Sequence, residues 1–264
     1  MKLLLTLALS VWAIHAHAAP PQRILSLCST ATDVLCAIGA ANQMAGIDEY
    51  GRVVPDATNV PVIAKGSALS REEIIVRRFD LAFLWWYQDD VAKLLGELNV
   101  PVVRVRAGRA AELPDTVRRI GHHVGHAEAA NNLADKLSAF LQSHRHHPPH
   151  PPRVYLELYG AYKTIGSDSY LNDLITLAGG TNIAATIPRS SVMLSPEQLV
   201  AAKPNVIVFI NGFASPATMV ARPGLTGARV VGIDRQWLVA GSRLPEAVKQ
   251  FHALIYGRPA NAVP

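Results

Sequence analysis

The sequence predicts an α/β protein of two Rossmann-like lobes joined by a single long helix, with a ligand cleft between the lobes. Three observations carry this expectation. Apolar strand-like segments alternate with helix-periodic ones along the chain, which argues parallel sheets. A fourteen-residue pattern occurs twice, 125 positions apart. Between the two copies, helical spacing runs unbroken for nearly five turns.

In order along the chain, Met1-Lys2, an uncharged run over residues 3–14 and Ala16-His17-Ala18 have the three regions of a secretory signal. The apolar run is too short to span a bilayer. No cysteine follows the expected cut after Ala18 to accept a lipid, so residues 19–264 are expected to be exported in soluble form. Residues 23–27 read as a short apolar strand, 30–39 as a helix stopped by Gly39, and 44–47 as the next strand. A buried strand is expected over 81–85, a helix over 88–98, a strand over 101–105 and a helix over 113–124. These make an N-terminal lobe, residues 19–126.

Ala130, Leu133, Leu137, Phe140 and Leu141 recur at helical spacing, so residues 127–147 are the expected connection. The following prolines, 148, 149, 151 and 152, end the helix and hold the chain extended. His144, His146, His147 and His150 lie on this proline-rich exit and read as a solvated linker rather than a metal cage. The C-terminal lobe, 148–264, repeats the plan, with strands over 154–158, 206–210 and 230–233 and helices over 170–177 and 245–256. The 246 residues after the signal suffice for two lobes with their own cores.

The repeat pairs Leu69-Ser70-Arg71-Glu72-Glu73 with Leu194-Ser195-Pro196-Glu197-Gln198. Ser70 and Ser195 are expected N-caps, and Glu73 and Gln198 would complete capping boxes. That leaves Glu72 and Glu197 unexplained. A single first-turn carboxylate is ordinary helix-start chemistry, but two at one position in two half-chains suggest an acidic knob on each lobe.

Function classes narrow quickly. Loss of the signal lowers the formal charge only from +5 to +4, and no Lys/Arg stripe interleaves with aromatics, so nucleic acid is not an expected partner. The nucleophile-elbow, zinc-protease, P-loop and dinucleotide-binding patterns are absent, Cys28-Ser29 lacks flanking glycines, and His122 and His123 read as helix surface or packing. An enzyme is therefore disfavoured. Cys28 and Cys36 sit at a strand end and inside the next helix; export permits a bridge there without the geometry promising one, and the pairing stays open.

Aromatics gather at the expected strand ends: Tyr50, Trp85-Trp86-Tyr87, Tyr159, Tyr162, Phe213 and Trp237. Ligands of open α/β sheets bind there, and aromatics would suit a large, flat, partly apolar ligand. Trp85 and Trp86 alternate along a strand, so at most one should face the cleft. Arg243 and Arg189, in cleft-end loops of the second lobe, are candidates for anionic groups of the ligand.

The stretch Arg23-Ile24-Leu25-Ser26-Leu27 with Thr32-Asp33-Val34-Leu35, then Ala45-Gly46-Ile47-Asp48-Glu49-Tyr50, resembles the start of the periplasmic binding proteins of ABC importers for vitamin B12, ferric siderophores and haem. The paired glutamates, Leu177-Ala178-Gly179-Gly180-Thr181-Asn182 and Arg243-Leu244-Pro245-Glu246 resemble that family too. The resemblance implies a periplasmic, monomeric binder with no cofactor of its own. It would carry a corrinoid, or alternatively a ferric siderophore or haem, to a permease dimer, and would meet the inner membrane only through that permease. It implies little hinge motion, docking of Glu72 and Glu197 on permease arginines, and contact of Tyr50 and Trp85 with a corrin. The loop Ala64-Lys65-Gly66-Ser67-Ala68 lacks the tyrosine that haem-binding members place there. Arg189-Ser190-Ser191 stands where B12-binding members have a tryptophan, a change that suits carboxylates or catecholates.

Overall fold

A computed structural model describes residues 19–144, 148–222, 225 and 227–257. The signal segment and the middle of the histidine-rich exit lie outside the described residues. The first lobe contains β1 (Ile24–Leu27), α1 (Ser29–Ala37), β2 (Met44–Asp48), β3 (Val62–Ala64), α2 (Arg71–Arg77), β4 (Leu81–Trp85), α3 (Asp89–Glu97), β5 (Val102–Val105) and α4 (Leu113–His123). Its strands form one parallel sheet in the order β3-β2-β1-β4-β5. α5 (Ala127–Ser143) then leads to β6 (Arg153–Glu157), β7 (Lys163–Thr164), α6 (Tyr170–Leu177), β8 (Thr181–Asn182), β9 (Val192–Met193), α7 (Pro196–Ala202), β10 (Val206–Ile210), α8 (Pro216–Val220), β11 (Arg229–Ile233) and α9 (Leu244–Tyr256). The second sheet is parallel in the order β11-β10-β6-β8, and β7 and β9 pair antiparallel beside it.

The two sheets follow from strand periodicity. Ile24 and Cys28 of the first lobe point to one face and Leu25 and Leu27 to the other, and all are fully buried. The inner faces do not form separate cores, as the length had suggested. One continuous cluster runs from Ile24 and Phe83 through α4 and α5 to Val154, Leu174 and Phe251, while Leu25 with Ile74 and Tyr155 with Leu199 anchor smaller outer clusters. The connecting helix spans about 25 Å at 1.5 Å per residue. It presses onto α4 at Gly121, where a Cβ would stand 2.1 Å from that of Ala130.

The repeat has a structural basis that reaches past its helices. Ser70 and Ser195 each accept the backbone N–H three residues on, at 3.1 and 3.2 Å. Both helices end on a left-handed basic residue, Arg78 (φ 50°) and Lys203 (φ 44°). Asp80 then accepts the N–H groups of Gln22 and Arg23, and Asn205 that of Arg153, so each copy pins the first strand of its lobe. One box departs from expectation. Gln198 returns to the Ser195 N–H at 2.8 Å, whereas Glu73 turns to Arg77 at 2.5 Å, because a carboxylate gains more from a cation one turn on.

Candidate functional site

The cleft lies where both sheets reverse their strand order. In the first, β1 and β4 are neighbours whose chains run outward in opposite directions; in the second, β6 and β10 are. Loops at the carboxyl ends of such pairs leave a crevice between them. A cavity of about 530 Å3 occupies it, walled by Tyr50, Trp85 and Tyr87 from the first lobe and by Tyr159, Phe213 and Tyr170 from the second.

Each wall residue is held by its own neighbours. Buried Gln88 accepts the Trp85 N–H at 2.8 Å and donates to Ser67 at 3.3 Å, tying the end of β4 to the 65–68 turn. Asp48, at the end of β2, accepts the Gly51 N–H at 2.8 Å and so shapes the turn that carries Tyr50. Tyr159 and Phe213 meet edge to face at 4.9 Å. Beneath their loops, Glu157 accepts from the Tyr155 hydroxyl, the Tyr162 N–H and the guanidinium of Arg222. Arg222 also lies 5.1 Å from the Tyr162 ring.

Arg235 and Tyr170 line the cavity and were both missed by sequence reasoning, and Arg235 is the charged one of the two. It follows β11, and its guanidinium sits 5.1 Å from the Tyr50 ring and 5.6 Å from each of Tyr159 and Phe213. Its Nε is buried and has no hydrogen-bond partner among the described residues. Its place at the carboxyl end of a strand, two residues before Trp237, was the available signal.

Of the sequence candidates, Tyr50, Trp85, Tyr159 and Phe213 come together on the cavity, while three others stand outside its lining. Arg243 turns inward instead, its Nε 3.6 Å from Asp33, and its guanidinium covers the Trp237 ring at 5.5 Å. Asp33 is buried on α1 and also accepts the Ser242 N–H, so this pair joins the lobes; a Cβ on Gly241 would stand 2.1 Å from the Asp33 carboxylate. Arg189 is exposed on the loop before β9. Trp86 also departs from the strand alternation: β4 ends at Trp85, the chain turns, and both tryptophans border a side chamber of the cleft.

Burial sets the protonation of several groups. The Cys28 thiol is pushed up to about 12 and that of Cys36 to about 11, and both are free. Burial likewise raises Asp33, whose hydrogen bonds to Ser242 and the charge of Arg243 work against the shift. The Asp48 carboxyl rises to about 6, again chiefly through burial. Because folding raises its pKa, folded Asp48 keeps a proton that the unfolded chain has released. Stability contributed through it therefore falls as pH climbs from about 4 to 6, by at most about 3 kcal/mol. Asp48→Asn should show a stability advantage over the parent that grows across this window in denaturant titrations; a constant difference from pH 4 to 7 would contradict the assignment.

Among the described residues, no group of three or more His, Cys, Asp or Glu could hold a metal ion, and no helix is long and apolar enough to cross a membrane. A family model for periplasmic binding proteins matches residues 24–227. The chain belongs to this family. A vitamin B12-binding protein of Pectobacterium atrosepticum is 25% identical over 246 residues, covering 87% of each chain. One from Vibrio cholerae is 23% identical over 229 residues, covering 83% of each. Among solved structures, the apo form of the periplasmic haem-binding protein RhuT from Roseiflexus sp. RS-1 superposes with a TM-score of 0.79 at 21% identity, over 89% of this chain and 98% of that one. The periplasmic vitamin B12 binding protein BtuF of Vibrio cholerae gives 0.73 at 21% identity, over 93% of this chain and all of that one. For this periplasmic binding protein, these likenesses establish the two-lobed α/β fold.

Proposed function

We propose that this periplasmic binding protein captures a corrinoid in the aromatic cleft and delivers it to the permease of an ABC importer. The observation that carries the reading is the cleft itself: aromatic rings from the carboxyl ends of strands in both sheets face one cavity around the guanidinium of Arg235. Rings in this arrangement offer flat, apolar contact on two sides. Export to the periplasm through the leading segment and a permease partner follow from the same reading, as does the absence of chemistry on the ligand.

A specific observation favours haem as the second reading. Arg235 offers a fork of donors suited to carboxylates, but the 65–68 turn near Tyr50 carries no phenolate for iron. Absorbance spectra of protein loaded with cyanocobalamin or haem and then freed of excess ligand separate the two, since their bands differ. Retention of corrin bands supports the proposal, and retention of haem bands alone replaces it with the second reading.

Tyr50→Ala and Trp85→Ala should each weaken corrinoid binding by about 1 to 3 kcal/mol through lost aromatic contact, with helix content unchanged. If both variants bind as tightly as the parent in calorimetric titrations, these rings are not the ligand wall.

A further inference from the structure

The cleft continues past its main cavity. A side chamber of about 240 Å3 opens beside it, and Trp85, Tyr87, Ala107 and Ser169 line both spaces. Tyr87 is the partition: its ring lies parallel to that of Trp85 at 6.5 Å and meets Trp86 edge-on at 5.7 Å. The chamber's other end is charged. Arg106, just past β5, donates to Asp168 of the second lobe at 3.0 Å and holds its guanidinium 5.8 Å from the Trp86 ring.

The side chains of this pair are 57% and 47% exposed, so it is a solvent-screened bridge of small worth. A ligand anion can therefore take the place of Asp168 on Arg106 at little cost. Trp86 and Tyr87 are 55% and 59% exposed, unusually open for such large rings, and they stand beside that cation ready to cover an apolar part of the same ligand.

We propose that the side chamber receives an anionic arm of the ligand, its charge on Arg106 and its apolar portion against Trp86 and Tyr87, while the flat body fills the main cavity. This rests on the main cavity holding a large flat ligand. The protein then prefers ligands with such an arm over ligands that offer the flat body alone. Two sources share the chemistry: the phosphodiester tail of a complete corrinoid and the carboxylates of haem.

The test measures dissociation constants of the parent, Arg106→Ala and Asp168→Ala for two matched pairs of probes. Cyanocobalamin is compared with dicyanocobinamide, which keeps the corrin ring and lacks the nucleotide tail, and haem with its dimethyl ester. Losing a charge-assisted hydrogen bond, Arg106→Ala should weaken the arm-bearing member of the bound pair about tenfold and change the armless member less than about twofold. Asp168→Ala breaks the same ion pair but frees the cation, so it should bind the arm-bearing member at least as tightly as the parent does. If the pair merely bridges the lobes, both substitutions weaken both members alike, and that result overturns the proposal. Equal losses for armed and armless ligands in Arg106→Ala overturn it as well. A parent that binds none of the four probes removes the main-cavity reading, and the side chamber's role with it; a parent that binds them with unchanged preference in Arg106→Ala removes the side chamber alone.

Discussion

Changing Glu72 and Glu197 together to Ala should abolish uptake through a reconstituted importer while ligand affinity and melting temperature stay close to the parent's. Both carboxylates are exposed on the first turns of α2 and α7. Each of these helices crosses back to a strand of a parallel sheet, so both begin on the side of the carboxyl strand ends, the side of the cleft. The turns are rigid, because the serine caps and the complete box at Ser195 hold them from outside while Ile74 and Leu199 anchor them from within. A hydrogen bond from the Ser195 side chain, helped by a backbone N–H, keeps the Glu197 carboxyl below its usual range, so it stays ionised. We propose that this preorganised pair of charges docks on paired cations of the permease, and such contacts steer and register partners. Salt should weaken the productive encounter in the parent for the same reason. Should the double variant still transport ligand, or should it lose ligand binding as well, the docking role is wrong.

The second large effect is expected at Glu157, where the substitution Glu157→Ala should cost about 3 to 5 kcal/mol of folding stability, because it leaves a guanidinium unpaired in a largely buried place. Glu157 is 2% exposed and its partner Arg222 is 16% exposed at the side chain. Tyr155 and the Tyr162 N–H lose their acceptor in the same step. These groups anchor the loops that carry Tyr159 and Phe213, so ligand affinity should fall in the fraction that remains folded. Pairing Glu157→Gln with Arg222→Met should recover much of the stability, since two matched neutral side chains cost less than one orphaned charge. Chemical denaturation of the three proteins decides this: a double variant no more stable than Glu157→Ala would show that the ion pair is not the source of the loss.

Much of the fold was legible because it rests on local signals. The strands that became β4 and β10 and the helix that became α6 lie where apolar runs, serines and glycines placed them. The pairing of Lys163–Thr164 with Val192–Met193 was not legible, since two-residue strands show no alternation. On the cavity wall, Tyr50, Trp85, Tyr159 and Phe213 were readable from their positions at or just past strand ends. Arg243 was misplaced because its partner Asp33 lies 209 residues away from Ser242, the neighbour that shares that carboxylate, and no local pattern reports so distant a charge. Arg235 escaped because a lone arginine after a strand looks like any surface cation until three rings from separate loops surround it. The shared core escaped for a similar reason: a helix face shows that it is apolar, not which lobe covers it.

The most direct measurement is a thermal-unfolding titration of the protein with cyanocobalamin, repeated on the Tyr50→Ala/Trp85→Ala double variant. A corrinoid held between the aromatic walls binds the folded state, so the parent's melting temperature should climb with ligand concentration, corresponding to about 2.7 kcal/mol at 100 times the dissociation constant. The double variant should need far more ligand for the same rise. A parent whose melting temperature does not respond to cyanocobalamin, or a double variant that responds at the same concentrations as the parent, would contradict a corrinoid in this cleft.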